Sequence, residues 1–300
     1  MKKLLTALLL GLAAVTSFAQ QQVPIYWPFA PGVTVAGTMR LIIAEANRQQ
    51  NKYVFYMDIK AGAGGAIAAN ATLNHKGPAL LYTSSSFFVR PMFYPNESYD
   101  IDLFTPVTID CAEQPWVIVS NKYKSLAELR QQSRITLGAN FGSLTEIIAK
   151  ELQSKLPNTE VVIVGYKDIV TPSLDVIAGN LDLNVDMTSN SLQWIEKGKL
   201  HVIGTTGTKD YKYFPSIKSQ GMPGFDGLIG SFFVVARTSD GDFAKEAHEI
   251  LTKASRNVSE LGPMLDSDYC VHPDYDYKKT VDHYARWNRY WPVTLKKYIK

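Results

Sequence analysis

The chain has 300 residues, a length for which about two domains of roughly 150 residues each are expected. With 46% hydrophobic and 20% charged residues it can bury a core, which excludes a disordered chain, a collagen-like chain and a low-complexity repeat. The net charge is +3, and +1 when Lys2 and Lys3 are left out. Because nucleic-acid-binding proteins usually carry a clustered basic surplus, we expect no nucleic-acid partner.

The N-terminal segment has the features of an export signal. Two lysines precede an apolar run over residues 4–15, and Ser17-Phe18-Ala19 supplies small residues where a signal peptidase cleaves. We expect residues 1–19 to be a signal peptide that is removed after Ala19. An uncleaved anchor is the alternative, but the run is shorter than the roughly 20 residues that cross a bilayer. No cysteine follows the run, as a bacterial lipid anchor would require.

From residue 23 the chain alternates short apolar strands with amphipathic helices, which is typical of a mostly parallel sheet covered by helices. The first part predicts strand 23–28, a proline- and glycine-rich loop 29–33, a helix with apolar residues at 35, 39, 42 and 46, strand 53–57, glycine loop 61–65, helix 66–74 and strand 79–83. These elements make two successive strand–helix–strand units.

The middle of the chain continues this pattern. After strand 116–119, Ser125 with Glu128 and Ser143 with Glu146 have the spacing of capping boxes, so each pair predicts the start of a helix. The other predicted elements are strand 135–137, glycine loop 138–142, strand 161–164, helix 171–179, strand 181–187, helix 192–197 and strand 200–204. Polar and apolar residues alternate in strand 181–187, which predicts that its two faces meet different surroundings.

The last part predicts a return strand at 230–236, a long helix at 243–258 and a terminal helix at 281–291. The simplest architecture is an α/β protein with two lobes, in which mostly parallel sheets are flanked by helices and a ligand cleft lies between the lobes. We expect residues 20–120 and 231–300 to form lobe 1 and residues 121–230 to form lobe 2. Two crossings, near residues 120 and 230, would then form a hinge.

Three loops join the end of a strand to the start of a helix, at residues 29–34, 61–65 and 139–143. The first turn of a helix leaves unpaired amides and partial positive charge, so a glycine-rich loop there can seat a carboxylate or a phosphate. The hydroxyls of residues 83–86 can donate to the same oxygens. For any single loop, a simple turn or a helix cap is the alternative. The three loops together favour binding of an anion.

The sequence supports neither a catalytic nor a metal site. Cys111 and Cys270 are the two cysteines, and they are expected either to form a bridge in an oxidising compartment or to stay two separate buried thiols. Cys270 and His272 are too few ligands for zinc. The nucleophile-elbow, zinc-protease and phosphate-loop motifs are absent. We therefore predict no cofactor, no metal and no catalytic residue.

Asp182 and Asp186 are the nearest pair of carboxylates for a glycosidase. Four residues along a strand separate them by roughly 13 Å, which exceeds the separations used in glycoside hydrolysis. We expect Asp182 to be solvated. We expect Asp186, beside a polar run at 188–191, to face the cleft.

Several segments together resemble the extracytoplasmic solute receptors of tripartite tricarboxylate transporters, the Bug or TctC family. They are, in order, Pro28-Phe29-Ala30-Pro31-Gly32 with Arg40, Gly62-Ala63-Gly64-Gly65, Arg90-Pro91-Met92-Phe93-Tyr94, Phe104-Thr105-Pro106-Val107, Tyr166-Lys167, Gly179 with Asp182, and Gly221-Met222-Pro223-Gly224-Phe225. The likeness extends over nearly the whole chain after residue 19, and the order and spacing of the segments make it specific.

The resemblance implies a periplasmic binding protein of the type II fold, a monomer that closes over a small carboxylate and delivers it to membrane permease subunits. It implies di- or tricarboxylates or aromatic acids as ligands. The ligand-binding positions that it assigns in the first lobe are Phe29, Ala30, Gly32, Val33, Gly62, Ala63, Gly64, Thr83, Ser84 and Ser85. Those that it assigns in the second lobe are Asn140, Phe141, Gly142, Ser143 and Asp186.

Three departures from the family pattern bear on the ligand. Val33 replaces a glycine, and a β-branched residue disfavours positive φ, so that loop is expected to be reshaped. Ala36 replaces an aspartate, which favours plain organic acids over amino acids. Arg90 replaces an asparagine and is expected either to clamp a second carboxylate of the ligand or to point to solvent.

Two other functions remain open from the sequence. The same fold can serve as the sensing subunit of a signalling system. A secreted hydrolase is disfavoured because no nucleophile, base and oxyanion donors can be assembled from the motifs.

Overall fold

The computed structural model describes residues 20–29, 31, 34–211, 214–267 and 269–299. The predicted signal peptide, residues 1–19, lies outside these ranges, and so do the predicted site residues Ala30, Gly32 and Val33. Within the same ranges, none of the helices has both the length and the apolar character that a membrane span requires.

The strands in the described ranges are β1 (Gln21–Trp27), β2 (Tyr53–Ile59), β3 (Leu80–Ser84), β4 (Phe104–Gln114), β5 (Val117–Ser120), β6 (Arg134–Asn140), β7 (Glu160–Tyr166), β8 (Leu183–Asp186), β9 (His201–Thr205) and β10 (Gly230–Arg237). The α-helices there are α1 (Thr34–Gln49), α2 (Ala66–Asn74), α3 (Ser86–Phe93), α4 (Leu126–Leu129), α5 (Leu144–Lys155), α6 (Thr171–Ala178), α7 (Thr188–Glu196), α8 (Gly241–Asn257), α9 (Leu261–Asp266) and α10 (Tyr277–Leu295).

The strands form two sheets with the same spatial plan. In the first sheet the order is β2-β1-β3-β10-β4, and in the second it is β7-β6-β8-β5-β9. β1 runs parallel to β2 and β3, while β10 is antiparallel to β3 and β4. β6 likewise runs parallel to β7 and β8, while β5 is antiparallel to β8 and β9. The predicted α/β class is confirmed, and the sheets are mostly parallel in the sense that four of the five strands of each run in one direction. We call each sheet with its helices a lobe.

The chain passes from one lobe to the other twice. It enters the second sheet between Gln114 and Val117 and returns to the first between β9 and β10. The two crossings are bonded to each other, since the Thr206 amide donates to the Trp116 carbonyl at 2.8 Å and the Trp116 amide donates to the Thr206 hydroxyl at 2.8 Å. β5 pairs within the second sheet, whereas the expected boundary at residue 120 assigns this strand to lobe 1. The expected lobe boundaries at residues 120 and 231 stay a prediction.

A disulfide joins Cys111 of β4 to Cys270, which follows α9. It links residues that are 159 positions apart in the chain. Of the two alternatives that the sequence leaves open, the bridge is the one observed.

The central strand of the second sheet, β8, is buried along its whole length. Its four residues are all buried, although polar Asn184 and Asp186 alternate with Leu183 and Val185. Helices α5 and α6 both pack against this strand. The predicted difference between its two faces is confirmed, because Leu183 and Val185 belong to the hydrophobic core. Asn184 and Asp186 instead hydrogen-bond to polar groups of α6 and α7.

Candidate ligand-binding cleft

A cleft of about 710 Å³ lies between the two lobes. It is formed where β2, β6 and β7 end and where α3 passes beside them. Its lining residues are Ala61, Gly62, Ala63, Gly64, Arg90, Asn140, Phe141, Gly165, Tyr166 and Lys167. Because both sheets contribute strand ends to it, it has the position in which open α/β sheets bind ligands.

The first-lobe wall of the cleft is the turn 61–65 that precedes α2. Four successive residues there have positive φ, from 125° at Gly62 through 47° at Ala63 and 57° at Gly64 to 100° at Gly65. Turns of this kind bring successive backbone amides together into a concave anion seat. There is also no room for a side chain at Gly64, since a Cβ there would lie 3.0 Å from Cδ of Arg90 and 3.2 Å from the Gly142 carbonyl oxygen.

Arg90 is buried in the floor of the cleft, with 4% of its surface exposed. Its guanidinium lies 4.0 Å from the centre of the Tyr94 ring, and Nη2 donates to the Glu97 carboxylate at 3.1 Å. Nε of Arg90 is buried and has no hydrogen-bond partner among the described residues. The alternative that Arg90 points to solvent is wrong. Its role as a clamp for a second carboxylate stays a prediction.

The second-lobe loop 140–143 holds its own polar groups. The Gly142 amide donates to the Glu146 carboxylate at 2.7 Å, and the Ser143 hydroxyl donates to the Asn140 carbonyl at 2.7 Å. Ser143 Oγ also accepts from the Thr145 amide at 3.2 Å, so Ser143 caps the helix as predicted, although the bonds differ by one residue from those of a capping box with Glu146. Gly142 and Ser143 are buried and do not line the cleft. The donors predicted to hold a ligand are therefore engaged inside the loop.

Two side chains of the same loop do reach the cleft. Nδ2 of Asn140 donates to the Tyr166 carbonyl at 3.2 Å, while its Oδ1 is buried without a partner in the described part of the chain. Phe141 is 43% exposed. The second lobe thus meets the cleft with side chains, whereas the first lobe meets it mainly with backbone.

The hydroxyls at the end of β3 are not part of the cleft lining. Thr83, Ser84 and Ser85 are all buried, and they do not belong to the lining. The Ser85 amide donates to the Ser231 carbonyl at 2.9 Å, and the Ser231 amide donates back to the Ser85 hydroxyl at 2.9 Å. Ser85 therefore ties β3 to β10. Phe29, from the first predicted loop, is half-buried against the ring of Trp27.

Asp186 is fully buried in the second lobe and does not line the cleft. Its carboxylate accepts from the hydroxyls of Ser173 and Ser191, both at 2.6 Å, from the Asn190 amide group at 3.0 Å and from the Met187 backbone at 2.8 Å. It borders a separate cavity of about 340 Å³. Burial raises the pKa of Asp186 above its ordinary value. The side chain joins the first turns of α6 and α7, because these helices supply most of its donors.

Sequence reasoning missed three lining residues, Gly165, Tyr166 and Lys167, which lie at and just after the end of β7. The available signal was their position after a parallel strand, where the chain meets the cleft.

The Tyr166 hydroxyl donates to Asp175 at 2.7 Å, and burial together with this bond raises the pKa of Tyr166 to about 12. Lys167 is exposed. The lining therefore contains two cationic side chains, Arg90 and Lys167, and no carboxylate among the described residues.

The two lobes touch each other beside the cleft. The Leu144 amide at the start of α5 lies 3.4 Å from the Ser86 hydroxyl at the start of α3, and the Tyr94 hydroxyl lies 3.4 Å from the Glu146 carboxylate. After α10, Lys297 pairs with Glu151 of α5 at 2.8 Å. Among the described residues, no cluster of His, Cys, Asp and Glu has the make-up of a metal site.

Comparison with known proteins identifies the family. Residues 39–265 match the family described as "Tripartite tricarboxylate transporter family receptor". The chain is 28% identical over 222 residues to a protein of Pseudomonas sp. (strain P51) described as "UPF0065 protein in tcbD-tcbE intergenic region", with 68% of this chain covered. The matches span 66% and 65% of the length of the two curated relatives.

Two solved structures are similar in fold. The first, described as R. palustris Rpa4515 with adipate, has 21% identity and a TM-score of 0.79, and the likeness covers 92% of this chain and 96% of that one. The second, MatC from Rhodopseudomonas palustris with bound malate, has 18% identity and a TM-score of 0.74, with 90% and 98% covered. These likenesses confirm the predicted periplasmic binding protein fold.

The family match covers most of the chain, and it agrees with the resemblance carried by the glycine turn and the segments around it. The protein belongs to the family of tripartite tricarboxylate transporter receptors, whose members are solute-binding receptors and not enzymes.

Proposed function

We propose that this protein captures a small organic carboxylate in the periplasm and presents it to the permease of a tripartite tricarboxylate transporter. The observation that carries the proposal is the charge of the interlobe cleft, which has Arg90 and Lys167 in its lining and no described acidic side chain. A cleft lined by one sign of charge attracts ligands of the opposite sign. The ligand is therefore an anion.

The first-lobe turn suits one carboxylate of that anion. Its run of positive φ from Gly62 to Gly65 turns the backbone at the start of α2, where the helix also contributes partial positive charge. The Gly65 amide donates to the Gly62 carbonyl at 3.0 Å, so the amides of Gly62, Ala63 and Gly64 are the ones offered to the ligand. Arg90 lies beneath the same turn, with Cδ close to Gly64. A planar guanidinium can hold a second carboxylate with two parallel hydrogen bonds. A dicarboxylate thus uses the turn and the arginine together.

Binding is coupled to movement of the lobes about the two crossings. A ligand that touches Gly62–Gly64 on one side and Asn140 or Tyr166 on the other has contacts with both lobes only when they are closed. Such a ligand stabilises the closed form by its differential affinity for the two states. The chemistry is limited to binding, and the closed shape is the signal that the permease recognises.

Family and fold relatives support the ligand class and the partner. The family is named for receptors of tripartite transporters, and two fold relatives hold adipate and malate. We propose that the chain is exported by residues 1–19, is cleaved after Ala19 and acts as a monomer in the periplasm.

A thermal-shift screen against organic acids, amino acids and sugars tests the proposal. A ligand at 100 times its dissociation constant stabilises a protein by roughly 2.7 kcal/mol, which raises the midpoint by several degrees in a chain of this size. We expect dicarboxylates to give this shift and sugars to give none. A shift with sugars and none with any carboxylate would contradict the ligand class.

A further inference from the structure

Phe141 is a large apolar side chain that the fold leaves exposed inside the cleft. The residues around it, Asn140 and Ser143, are 5% and 4% exposed, whereas Phe141 is 43% exposed and belongs to the cleft lining. An exposed apolar surface in a concave site is usually a place where a ligand or a partner is bound. The ring is therefore positioned for something that enters the cleft.

Gly165 holds the ring in that position. A Cβ at Gly165 would lie 2.7, 2.9 and 3.0 Å from the ring carbons Cε2, Cδ2 and Cζ of Phe141. The Cδ2–Cε2–Cζ edge of the ring therefore lies against the backbone of Gly165, and 43% of Phe141 stays exposed. Gly165 does not have a positive φ, so the backbone itself does not require glycine at this position; the ring of Phe141 does.

The remaining lining sets the chemistry that accompanies this apolar face. Arg90 and Lys167 supply positive charge, and the turn at Gly62–Gly64 supplies backbone. The Tyr166 hydroxyl is turned to Asp175 and so does not compete for the ligand. A short, highly polar acid would satisfy the charges and leave the face of Phe141 in contact with water. An acid with a long hydrocarbon segment would satisfy both.

We infer that Phe141 is a specificity-determining residue that packs against the hydrocarbon segment of the ligand, so that the cleft prefers carboxylates with a long apolar body over short hydroxy acids. Gly165 is the positioning residue that seats the ring. This inference rests on the proposed function, since it takes the ligand to be a carboxylate, and it adds which carboxylates are held best.

Calorimetric titration of the full mature chain with succinate, glutarate, adipate, pimelate and suberate tests the inference, with malate as the short polar probe. Burying one methylene contributes ~0.8 kcal/mol, or about fourfold in affinity. We expect the affinity of the wild-type protein to rise along the series until the cleft is filled, and malate to bind more weakly than adipate.

Two variants test the ring of Phe141 and its placement by Gly165 one at a time. In Phe141→Ala the affinity should no longer rise along the series of diacids. Adipate should bind about tenfold more weakly, and the affinity for succinate should change less than about twofold. Gly165→Ala keeps the ring but displaces it, and should give the same loss of selectivity. Gly241→Ala is the matched control, because a Cβ at Gly241 meets no atom within 4 Å; it should leave the whole series unchanged. Thermal melting checks that each variant is folded.

Different results of these titrations would overturn the inference, the role of Gly165 or the proposed function. Tighter binding of malate than adipate by the wild-type protein, or an equal loss of succinate and adipate in Phe141→Ala, overturns the inference and leaves the proposed function intact. An unchanged series in Gly165→Ala overturns the role of Gly165. Binding of no acid by the wild-type protein overturns the proposed function and the inference with it.

Discussion

The turn 61–65 of the first lobe and the loop 140–143 of the second have the same sequence plan, in which a strand ends, glycine follows and a helix begins. Their chemistry differs because the helices begin differently. α2 starts with Ala66-Ile67-Ala68 and has no acidic residue in its first turn, whereas the first turn of α5 contains Thr145 and Glu146. Glu146 binds the Gly142 amide itself. A glycine loop is therefore an anion seat only when the helix after it leaves the amides available.

Because of this difference, the two lobes contribute different kinds of contact to the ligand. The first lobe supplies backbone geometry and the buried cation of Arg90, which act on the charge of the ligand. The second lobe adds the charge of Lys167 and also supplies Phe141 and Tyr166, which act on the shape of the ligand. Changes in the first-lobe turn should therefore affect all acids, and changes in the second-lobe loop should affect acids selectively.

Gly64→Val should have the largest effect. A β-branched side chain is strongly disfavoured at the φ of 57° and would enter the contact with Arg90 and Gly142, so the lobes could not close. We expect affinity for every acid to fall by more than about 100-fold, as measured by calorimetry. Gly221→Val is the matched control, because Gly221 has a φ of 78° but its Cβ would meet nothing within 4 Å. Equal losses in the two variants would contradict a role for the turn in binding.

Arg90→Ala should separate diacids from monoacids. Loss of the guanidinium should weaken adipate about 30-fold, in the range of a charge-assisted pair, and hexanoate less than about threefold. The control is Glu97→Gln, which removes the exposed partner of the arginine and should change either affinity less than about twofold. The same loss for both acids would remove Arg90 from the clamp.

Falling pH should destabilise the first lobe before the second. Burial and the neighbouring Arg286 lower the pKa of His283 on α10 to about 4, and burial lowers the pKa of His248 on α8 below its ordinary 6.5. The unfolded chain binds these protons below pH 6.5 and the native chain does not, so the contribution of these histidines to the free energy of unfolding should fall by about 2 kcal/mol as the pH drops towards 4.

Urea denaturation between pH 6.5 and pH 4 measures the slope of the free energy of unfolding against pH. Hydrogen exchange shows which lobe loses protection first. His283→Gln should reduce the slope, because the variant has no group to protonate at that position. Between β5 and β9 the second lobe contains one histidine, His201. Acid-induced exchange that starts in β6–β8 would contradict the assignment.

Ser143→Ala should give the smallest change. Ser143 caps α5 through the Thr145 amide, and Ser125 caps α4 through the Glu128 amide at 3.3 Å. Removing either cap should cost about 1 kcal/mol of stability. Because α5 follows the cleft loop, only Ser143→Ala should also weaken adipate, by about threefold. A similar loss of affinity in Ser125→Ala would show that the effect comes from general stability.

Much of the fold could be predicted because local signals agreed with it. The return strand at 230–236 is observed as β10 (Gly230–Arg237), and both capping serines begin helices. β4 was missed because Pro106 argues against a strand; β4 lies at the edge of its sheet, where proline is tolerated. α3 was missed in the same way, since Pro91 lies inside it. In both cases the tertiary position overrides the local preference.

The site was predictable where it depends on backbone. The glycine turn at 62–64 was identified, and it lines the cleft. Asp186 and Gly142 were misplaced because their partners come from neighbouring helices, so their burial and hydrogen bonds could not be read from spacing. Gly165 was missed because its need for glycine comes from a ring that is 24 positions earlier in the chain.

Titration of the protein with adipate and with its neutral diamide tests the central claim most directly, because the two molecules share a hydrocarbon chain and differ in charge. If the first-lobe turn and Arg90 recognise anionic oxygens, adipate should bind with an affinity that falls as salt is added, and the diamide should not bind measurably. Equal binding of the two compounds, independent of salt, would contradict recognition of charge by this cleft.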